Sequence, residues 1–591
     1  MSATGFVLDP CRAELGEKLL AALRALAPDA PLAFSAADIA RLIERPPEQK
    51  LGDYALPCFR FAKDTKKKPQ EIATALAAAL TPGGWVAGAT VAGAFLNITV
   101  NKQKLAETVL PAVRSGAWFS RLKESGMARD RVMIEYSQPN THKEFHVGHG
   151  RNVCLGNSLV RLLRYSGYDV VAANYFGDEG THIATILWYL TKYGKEAPAS
   201  GRGEWLGKMY VESKKLLGAA DDEAKKKIYA EISAVHRAIE SKSGDVYKLW
   251  LETRQWSLDD FHAIYEWLGV EFDEIFYESE VTEEAQQIVD EYYKKGVFVL
   301  DDGAIGVDLK EWKLGFSILR KRDGNTLYAT KDLALARRKF EKFNIDRSIY
   351  VVADEQNHHF KQVFKDLELM GFPQAKKCFH LSYGMVVLPE GKMSSRDGNS
   401  VTFNELRALM TAELSNILQK YASDWTAAEI ADTTHKLCDG AIKYGMLVTD
   451  PAREIVFNLT DWLAFDGNSG PYLMYSYART RSVLRKAADQ GFSPSTAGVA
   501  GLADPTEHDL LRYVYDFNDV ASNAGENCKP SQLASHLYYM CKAFNRFYAE
   551  VQVLKSPTPE LRDARLALIE AFATTLKQGL GLLGITPPER M

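Results

Sequence analysis

Apolar positions change their period along this 591-residue chain, and each change predicts a different kind of element. Over residues 1 to about 120, ELGEKLLAALRAL and PQEIATALAAAL repeat every three to four positions, while the short segment AFLNITV alternates. The longer repeat buries one stripe of a helix and the alternation buries one face of a strand, so this part predicts a small α+β domain. From residue 131 the order is strand-like RVMIEYS, helix-like NVCLGNSLVRLLRYSG and strand-like DVVAANYF, closed by GDEG. Strand, helix and strand in about forty residues predict a βαβ unit and therefore a parallel sheet.

Polar helical segments between about 185 and 270 (LGKMYVESKKLL, AKKKIYAEISAVHRAIES, FHAIYEWLG) predict a helical insertion. A β-rich insertion follows at about 290–325, where VFVLDDGAIGVDLKEWKLGFSIL carries a hairpin turn at DDG. The sheet pattern resumes with IYVVA at 349–353, a helix in KQVFKDLELMG and a strand in SYGMVVL. From about 405 nearly everything is helical, including GPYLMYSYARTRSVLRKA and RLALIEAFATTLKQGLGLLG, which predicts an all-α domain. The expected organisation is an α+β domain over 1–120, a Rossmann-like parallel-sheet α/β domain over 121–405 with both insertions, and a helical bundle over 406–591.

Composition narrows the class. Apolar residues at 46% and charged ones at 25% describe a soluble, multidomain globular chain. A net charge of -4 means that any nucleic-acid partner is met by local basic patches and not by a global field. The run KDTKKKP at 63–69 is one such patch, readable as a solvated loop or as a phosphate contact. Seven cysteines form no CxxC or ligand-spaced cluster and read as reduced thiols. No apolar run approaches the ~20 residues that span a bilayer, and the N-terminus has acidic residues early, so a cytoplasmic protein without a membrane partner is expected.

Candidate chemistry begins at EYSQPNTHKEFHVGHG, residues 135–150. Its HKEFH places Glu144 centrally, which is neither H-E-x-x-H nor H-x-x-E-H, so no metal ligands are expected there. The segment leaves the first strand of a parallel sheet and opens a helix, where such folds bind ligands. A helix start offers unpaired amides to phosphate, and Gly148 and Gly150 remove side chains that would hold a nucleotide away. His146 and His149 supply donors toward a phosphoryl centre. Farther on, LPEGKMSSRDGNS brings Lys392, Ser394, Ser395 and Arg396 on a loop able to hold the opposite side of a triphosphate.

Together these segments resemble the HIGH and KMSKS signatures of class I aminoacyl-tRNA synthetases. The first is His146, Val147, Gly148 and His149; the second is Lys392, Met393, Ser394, Ser395 and Arg396, with arginine where the generic pattern ends in serine. The resemblance sharpens to the arginyl-tRNA synthetases over essentially the whole chain. LGDYALPCFRFAKDTKKKPQEIA and AFLNITV are similar to their N-terminal domain, DGNTLYATKDLALA and VVADEQNHHFKQVF to their catalytic core, and NSGPYLMYSYARTRSVL and LLGITPPERM to their anticodon-binding bundle.

What the resemblance implies is specific. L-arginine and ATP, with Mg2+, give arginyl-adenylate and pyrophosphate, and the arginyl group passes to the 2'-hydroxyl of the terminal adenosine of tRNA(Arg). It implies tRNA bound before activation, a monomer, and an N-terminal domain in contact with tRNA. Glu135 and Asp332 are carried over as guanidinium ligands with Tyr328 beside them, and Asn140 and Gln356 as ligands of the α-ammonium. Physical chemistry agrees, since a planar cation with five donors calls for carboxylates in a fixed fork. In FGDEGTH, Asp178 and Gly180 match the pattern, whereas Glu179 stands where the family usually has tryptophan. His359 matches a family position without a stated role, and adjacent His358 and His359 do not share a helix face as a metal pair would.

Arg481 and Arg485, one turn apart in YARTRSVLRKA, form a stripe suited to RNA phosphates or a splayed base. Two or three of the neighbouring tyrosines and phenylalanines are expected on anticodon bases, the rest in the bundle core, with Met591 nearby. Two rival classes fit less of the chain. A small-molecule nucleotidyltransferase of the HxGH type has no use for the all-α third, and a non-catalytic RNA-binding relative has no use for both signatures.

Overall fold

A computed structural model describes residues 9–46, 48–124, 129–322, 324–387 and 401–591. The first helix, Pro10–Leu26, starts where Asp9 accepts the Arg12 amide at 2.9 Å and proline fills the first turn, a position that needs no amide. With helices Ala36–Leu42 and Pro69–Ala79 it covers an antiparallel sheet of β1 (Tyr54–Pro57), β2 (Val86–Ala92) and β3 (Phe95–Val100), ordered β1-β3-β2.

The central sheet begins with β4 (Arg131–Glu135), β5 (Asp169–Phe176) and β6 (Glu274–Tyr277). A separate antiparallel meander follows, β7 (Val299–Asp301), β8 (Ala304–Asp308) and β9 (Phe316–Arg320), and then β10 (Arg347–Ala353) and β11 (Cys378–Tyr383) return to the sheet. All its pairings are parallel, in the order β11-β10-β4-β5-β6. Val132 to Ile134 and Val170 to Phe176 are buried without alternation, as a sheet covered on both faces requires. The chain steps from β4 to β5 and β6 on one side and returns as β10 and β11 on the other, so a crevice opens beyond the carboxyl ends of β4 and β10.

Helix Val147–Tyr165 fills the space between this sheet and the C-terminal bundle and is buried along most of its length. Its approach to the sheet is close: a Cβ on Gly156 would stand 2.1 Å from the Tyr136 ring. Helices Thr181–Tyr193, Arg202–Ala219, Asp222–Glu240 and Gly244–Trp267 lie between β5 and β6 with a core of their own that includes Ile186, Leu206 and Trp250. Beyond residue 401 the chain is almost wholly helical, ending in Pro505–Glu526, Pro530–Glu550 and Pro559–Leu582. The architecture is thus the expected one, a parallel α/β sheet domain between a small α+β domain and an all-α bundle.

The N-terminal domain docks on Pro505–Glu526 through buried polar groups. Tyr54 and Tyr515 both donate their hydroxyls to Asp9, the Cys11 amide donates to the Tyr515 hydroxyl at 3.1 Å, and the Arg512 guanidinium lies 4.4 Å from the Tyr54 ring centre.

One element departs from its periodicity. SYGMVVL reads as a single strand, but the sheet strand is Cys378–Tyr383, and Val386–Val387 pairs instead with Ile455–Val456. The cause is Arg151, fully buried one turn into helix Val147–Tyr165. Its guanidinium donates to the carbonyls of Gly384, of Arg453 at 2.8 Å and of Pro451 at 3.3 Å, drawing the chain out of the sheet. Gly384 permits this, because a Cβ there would meet the Arg453 backbone at 2.6 Å. Burial pushes the guanidinium down to about 10, so it stays charged at neutral pH. Arg151→Met takes the guanidinium from those carbonyls, of which Pro451 O keeps the Gly384 amide at 2.9 Å, and we expect it to cost about 3 kcal/mol of stability, measured by urea denaturation with arginine and nucleotide absent.

Candidate active site

Strands β4, β5, β6 and β10 each lead into polar residues at the same carboxyl edge. After β4, His146 takes an extended backbone at the start of helix Val147–Tyr165, and its amide donates to His149 Nδ1 at 3.2 Å. That bond leaves the His149 proton on Nε2. The two rings stack with centres 3.8 Å apart, an arrangement suited to neutral imidazoles. Burial, then Lys143, pushes His146 down to about 4, and burial, then His146 and Lys143, pushes His149 well below the ordinary range. Gly148 is needed for the stack, since a Cβ there would lie 3.0 Å from the His146 ring. The third histidine of the segment, His142, is structural: it is buried between Thr141 Oγ1 at 3.0 Å and Thr253 Oγ1 at 2.8 Å.

Lys392, Met393, Ser394, Ser395 and Arg396 lie outside the described residues. The chain that follows them is fixed to the first motif. Val147 N donates to Val401 O at 3.2 Å, Phe403 N donates to Phe145 O at 2.9 Å, and Gly150 lets the Phe403 ring approach to where a Cβ would be 2.9 Å away. Thr402 and Glu405 then cap helix Phe403–Leu418 reciprocally. Segments far apart in sequence therefore meet at one helix start.

Beside this turn lies a cluster of acids. Asp178, after β5, is buried and accepts Arg254 Nη1 at 2.8 Å, Ser279 N at 2.9 Å and Ser279 Oγ at 2.7 Å; burial outweighs these donors and pushes its carboxyl up. Glu179 accepts Lys331 Nζ at 2.9 Å and Thr282 Oγ1 at 2.7 Å. Burial raises Glu179, but Lys331 and Thr282 outweigh it and hold the carboxyl below its usual range. Glu278, after β6, has Lys331 as its ion-pair partner among the described residues, at 3.7 Å, and burial, then Asp178, Asp332 and Glu179, outweighs that cation and pushes it up to about 8. Asp332 stands one helical turn after Tyr328 and meets His359 Nε2 at 2.6 Å. Burial pushes His359 down, yet Asp332 outweighs it and holds the imidazole above its ordinary range.

The Tyr175 hydroxyl, buried at the end of β5, feels Glu278, Asp332, Glu135 and Asp178 together. Among the described residues it has no hydrogen-bond partner, and neither does Glu278 Oε2. A cleft of about 340 Å³ adjoins the cluster, with Glu179, Gly180, Glu278, Tyr328 and Lys331 in its wall.

Several expected residues are brought here. Tyr328 begins helix Tyr328–Phe343 with a half-exposed ring, its hydroxyl 3.7 Å from the Cβ position of Gly180. Asn140 pairs with Gly177 between the ends of β4 and β5, and Gln356 is exposed just beyond β10. Glu135, expected beside the guanidinium, lies deeper, with its Oε2 ion-paired with the fully buried Lys339 and its Oε1 accepting Gln138 Nε2 at 2.9 Å. A carboxylate so occupied is a counter-ion in the floor of the site.

Glu278, Lys331 and Arg254 were missed. The strand that presents Glu278, EIFY, has four residues between helical stretches and leaves little periodicity to read. In the bundle, Arg481 and Arg485 both meet Glu589, Arg481 Nε at 2.7 Å from Oε2 and Arg485 Nη1 at 3.1 Å from the carbonyl. Arg485 is exposed on that helix, and so are Tyr475 and Arg479, one turn apart, with the Arg479 guanidinium donating to Asn545 Oδ1 at 3.4 Å and lying 4.8 Å from the Tyr548 ring centre; Tyr539 is exposed on helix Pro530–Glu550.

Comparison with known proteins covers the whole chain. Residues 119–459 match the family model for tRNA synthetases class I (R), catalytic domain; 473–591 match the DALR anticodon binding domain; and 13–100 match the arginyl tRNA synthetase N terminal domain. The chain is 44% identical over 568 residues to arginine–tRNA ligase of Bdellovibrio bacteriovorus, covering 94% of this chain and 96% of that one. It is 33% identical over 557 residues to the Halothermothrix orenii enzyme of the same name, again covering 94% and 96%. Among solved structures, Thermus thermophilus arginyl-tRNA synthetase superposes with a TM-score of 0.80 at 26% identity, over 98% of this chain and 100% of that one.

The pairing of Glu135 with Lys339 has a direct check. Lys339→Met strands a buried carboxylate and is expected to cost about 3 kcal/mol, and the double variant Glu135→Gln/Lys339→Met recovers most of it in the same thermal or urea melt.

Proposed function

The chain belongs to the class I arginyl-tRNA synthetase family, and on that premise we propose how its residues join arginine to tRNA(Arg) with ATP. The observation that carries the residue assignment is the buried acid cluster with one carboxylate short of a cation. A guanidinium fits that deficit: it is flat, permanently charged and a multiple donor, and Glu278, Asp332 and the Tyr175 hydroxyl converge on one space. Tyr328 covers that space from the helix start. Asn140 and Gln356 stand where the α-ammonium lies, at the ends of β4 and β10.

ATP occupies the crevice at the start of helix Val147–Tyr165. Gly148 and Gly150 open the turn, the amides of the helix start face the phosphates, and His146 and His149 donate from neutral rings as charge builds on the α-phosphate. Lys392, Ser394, Ser395 and Arg396 hold the other side of the triphosphate, an assignment supported by their motif. The arginine carboxylate attacks the α-phosphorus and pyrophosphate leaves; the 2'-hydroxyl of the terminal adenosine then takes the arginyl group and AMP leaves. Magnesium arriving with the triphosphate would supply neutralisation of phosphate charge there. No cluster of three or more His, Cys, Asp or Glu side chains among the described residues is arranged to hold an ion.

A neutral isostere of arginine would leave Glu278 or Asp332 buried without a partner, which supplies about 10⁴-fold discrimination without an editing domain. Tyr475, Arg479 and Tyr539 form the RNA-facing surface of the bundle, and Arg481 and Arg485 take part if tRNA displaces Glu589. We assign the protein to the cytoplasm as a monomer. The seven cysteines stand unpaired, and no described helix is long and apolar enough to cross a membrane.

Arginylation of tRNA(Arg) tests the assignment. Asp332→Ala and Glu278→Gln each lower kcat/KM for arginine by about 10²-fold or more with KM for ATP unchanged. The pH dependence has a definite sign: Glu278 must be a carboxylate to take a cation and titrates at about 8, so KM for arginine falls as pH rises toward 8 and then levels. Arg479→Ala raises KM for tRNA and leaves KM for arginine unchanged.

A further inference from the structure

The following rests on the assignment of Glu278 to the guanidinium. Two positions in the pocket wall form a charged pair, Glu179, where the family pattern has tryptophan, and Lys331 on helix Tyr328–Phe343. The pair is buried: the side chains of Lys331 and Glu179 are each 10% exposed, and that of Glu278 is 6% exposed. The ammonium stands 2.9 Å from Glu179 Oε2 and 3.7 Å from Glu278 Oε2. Thr282, one turn along the helix that Glu278 begins, donates to the same Glu179 oxygen at 2.7 Å and keeps it turned toward the lysine. One cation is thus divided unequally between two carboxylates, and the looser share goes to the one that faces substrate.

The other charges around Glu278 are accounted for on each side. From the turn after β5 comes Asp178, neutralised by Arg254 of helix Gly244–Trp267. From helix Tyr328–Phe343 comes Asp332, paired with His359, and from β5 the phenol of Tyr175. His236 of helix Asp222–Glu240 faces Glu179, and Arg237, Glu240 and, just after β9, Lys321 line the outer cleft. Lys331 is the cation that the structure places within ion-pair distance of Glu278.

We propose that Lys331 is a positioning residue that weakens the hold of Glu278 on its proton, so that an incoming guanidinium displaces it more readily, and that Glu179 sets the strength of this effect by holding the lysine's nearer contact. Removing the lysine charge leaves Glu179 and Glu278 as two uncompensated neighbours, so Glu278 takes up a proton more readily. Removing the Glu179 charge does the reverse, because a repelling carboxylate is lost and the lysine is released toward Glu278. The two halves of one ion pair therefore act on arginine binding in opposite directions, whereas a pair that merely supports the fold would respond alike to loss of either half.

The test is KM for arginine in tRNA arginylation by the full-length chain, measured from about pH 6 to about pH 9, where Glu278 titrates. Lys331→Met is expected to move the break in the profile to higher pH by about one unit, equal to about a tenfold higher KM at pH 7, with kcat and KM for ATP little changed. Lys331→Arg restores the wild-type break. Glu179→Gln moves the break to lower pH. Should Lys331→Met fail to fold, the direction of the Glu179→Gln shift decides alone. Shifts in the same direction for both variants, or a break unmoved by either, would overturn the proposal. Glu278→Gln separates the two levels of the argument. A flat profile in that variant upholds the pocket whatever Lys331 does, and a wild-type break retained in it removes the pocket assignment itself.

Discussion

Buried negative charge in excess of its partners organises this site. Glu135, Asp178, Glu179, Glu278 and Asp332 gather at the carboxyl edge of the central sheet. Lys339, Arg254, Lys331 and His359 answer them, with Lys331 divided between two carboxylates. Taking a carboxylate out of water is costly unless a cation or a set of donors replaces the water. Four of the five acids have such a replacement within 2.9 Å or less, and Glu278 does not. Its protonation in the empty site is the cheapest local remedy, and a guanidinium is a better one. Under the proposed assignment, substrate recognition follows from an electrostatic deficit and not from shape alone.

The fold supplies the deficit by bringing distant segments to one edge. A parallel sheet aligns all its carboxyl ends, and the reversal of strand order at β4 leaves a crevice between β4 and β10. Arg151 ties helix Val147–Tyr165 to the chain leaving β11 and to residues 450–453, while Val401 and Phe403 tie the flank of the second motif to the first. The same helix is packed against the bundle, and the bundle carries the N-terminal domain through Asp9, Tyr54 and Tyr515. Nucleotide site and RNA-facing helices are thereby parts of one packed body.

Much of this was legible from residue patterns. The sheet strands stand out as short apolar runs on either side of a helix, the helical insertion and the bundle follow a period of 3.6, and His146, Gly148, His149, Tyr328 and Asp332 stand in motifs whose residue types are tied to their chemistry. What escaped was pairing across the chain. Periodicity is silent about which buried carboxylate meets which lysine, so the hold of Lys339 on Glu135, from some two hundred positions later, could not be read. Nor could the contacts of Arg481 and Arg485 with the terminal segment around Glu589. The split of SYGMVVL was hidden for the same reason, since the guanidinium that causes it belongs to another helix.

Titration calorimetry of arginine binding to the full-length protein at pH 7, repeated in buffers of different ionisation enthalpy, measures the central claim directly. The account predicts that arginine displaces the proton on Glu278, so that about one proton is released per arginine bound and the release fades above pH 8. Heats that do not depend on the buffer would mean that no carboxyl ionises on binding, and the guanidinium would have to be held somewhere else.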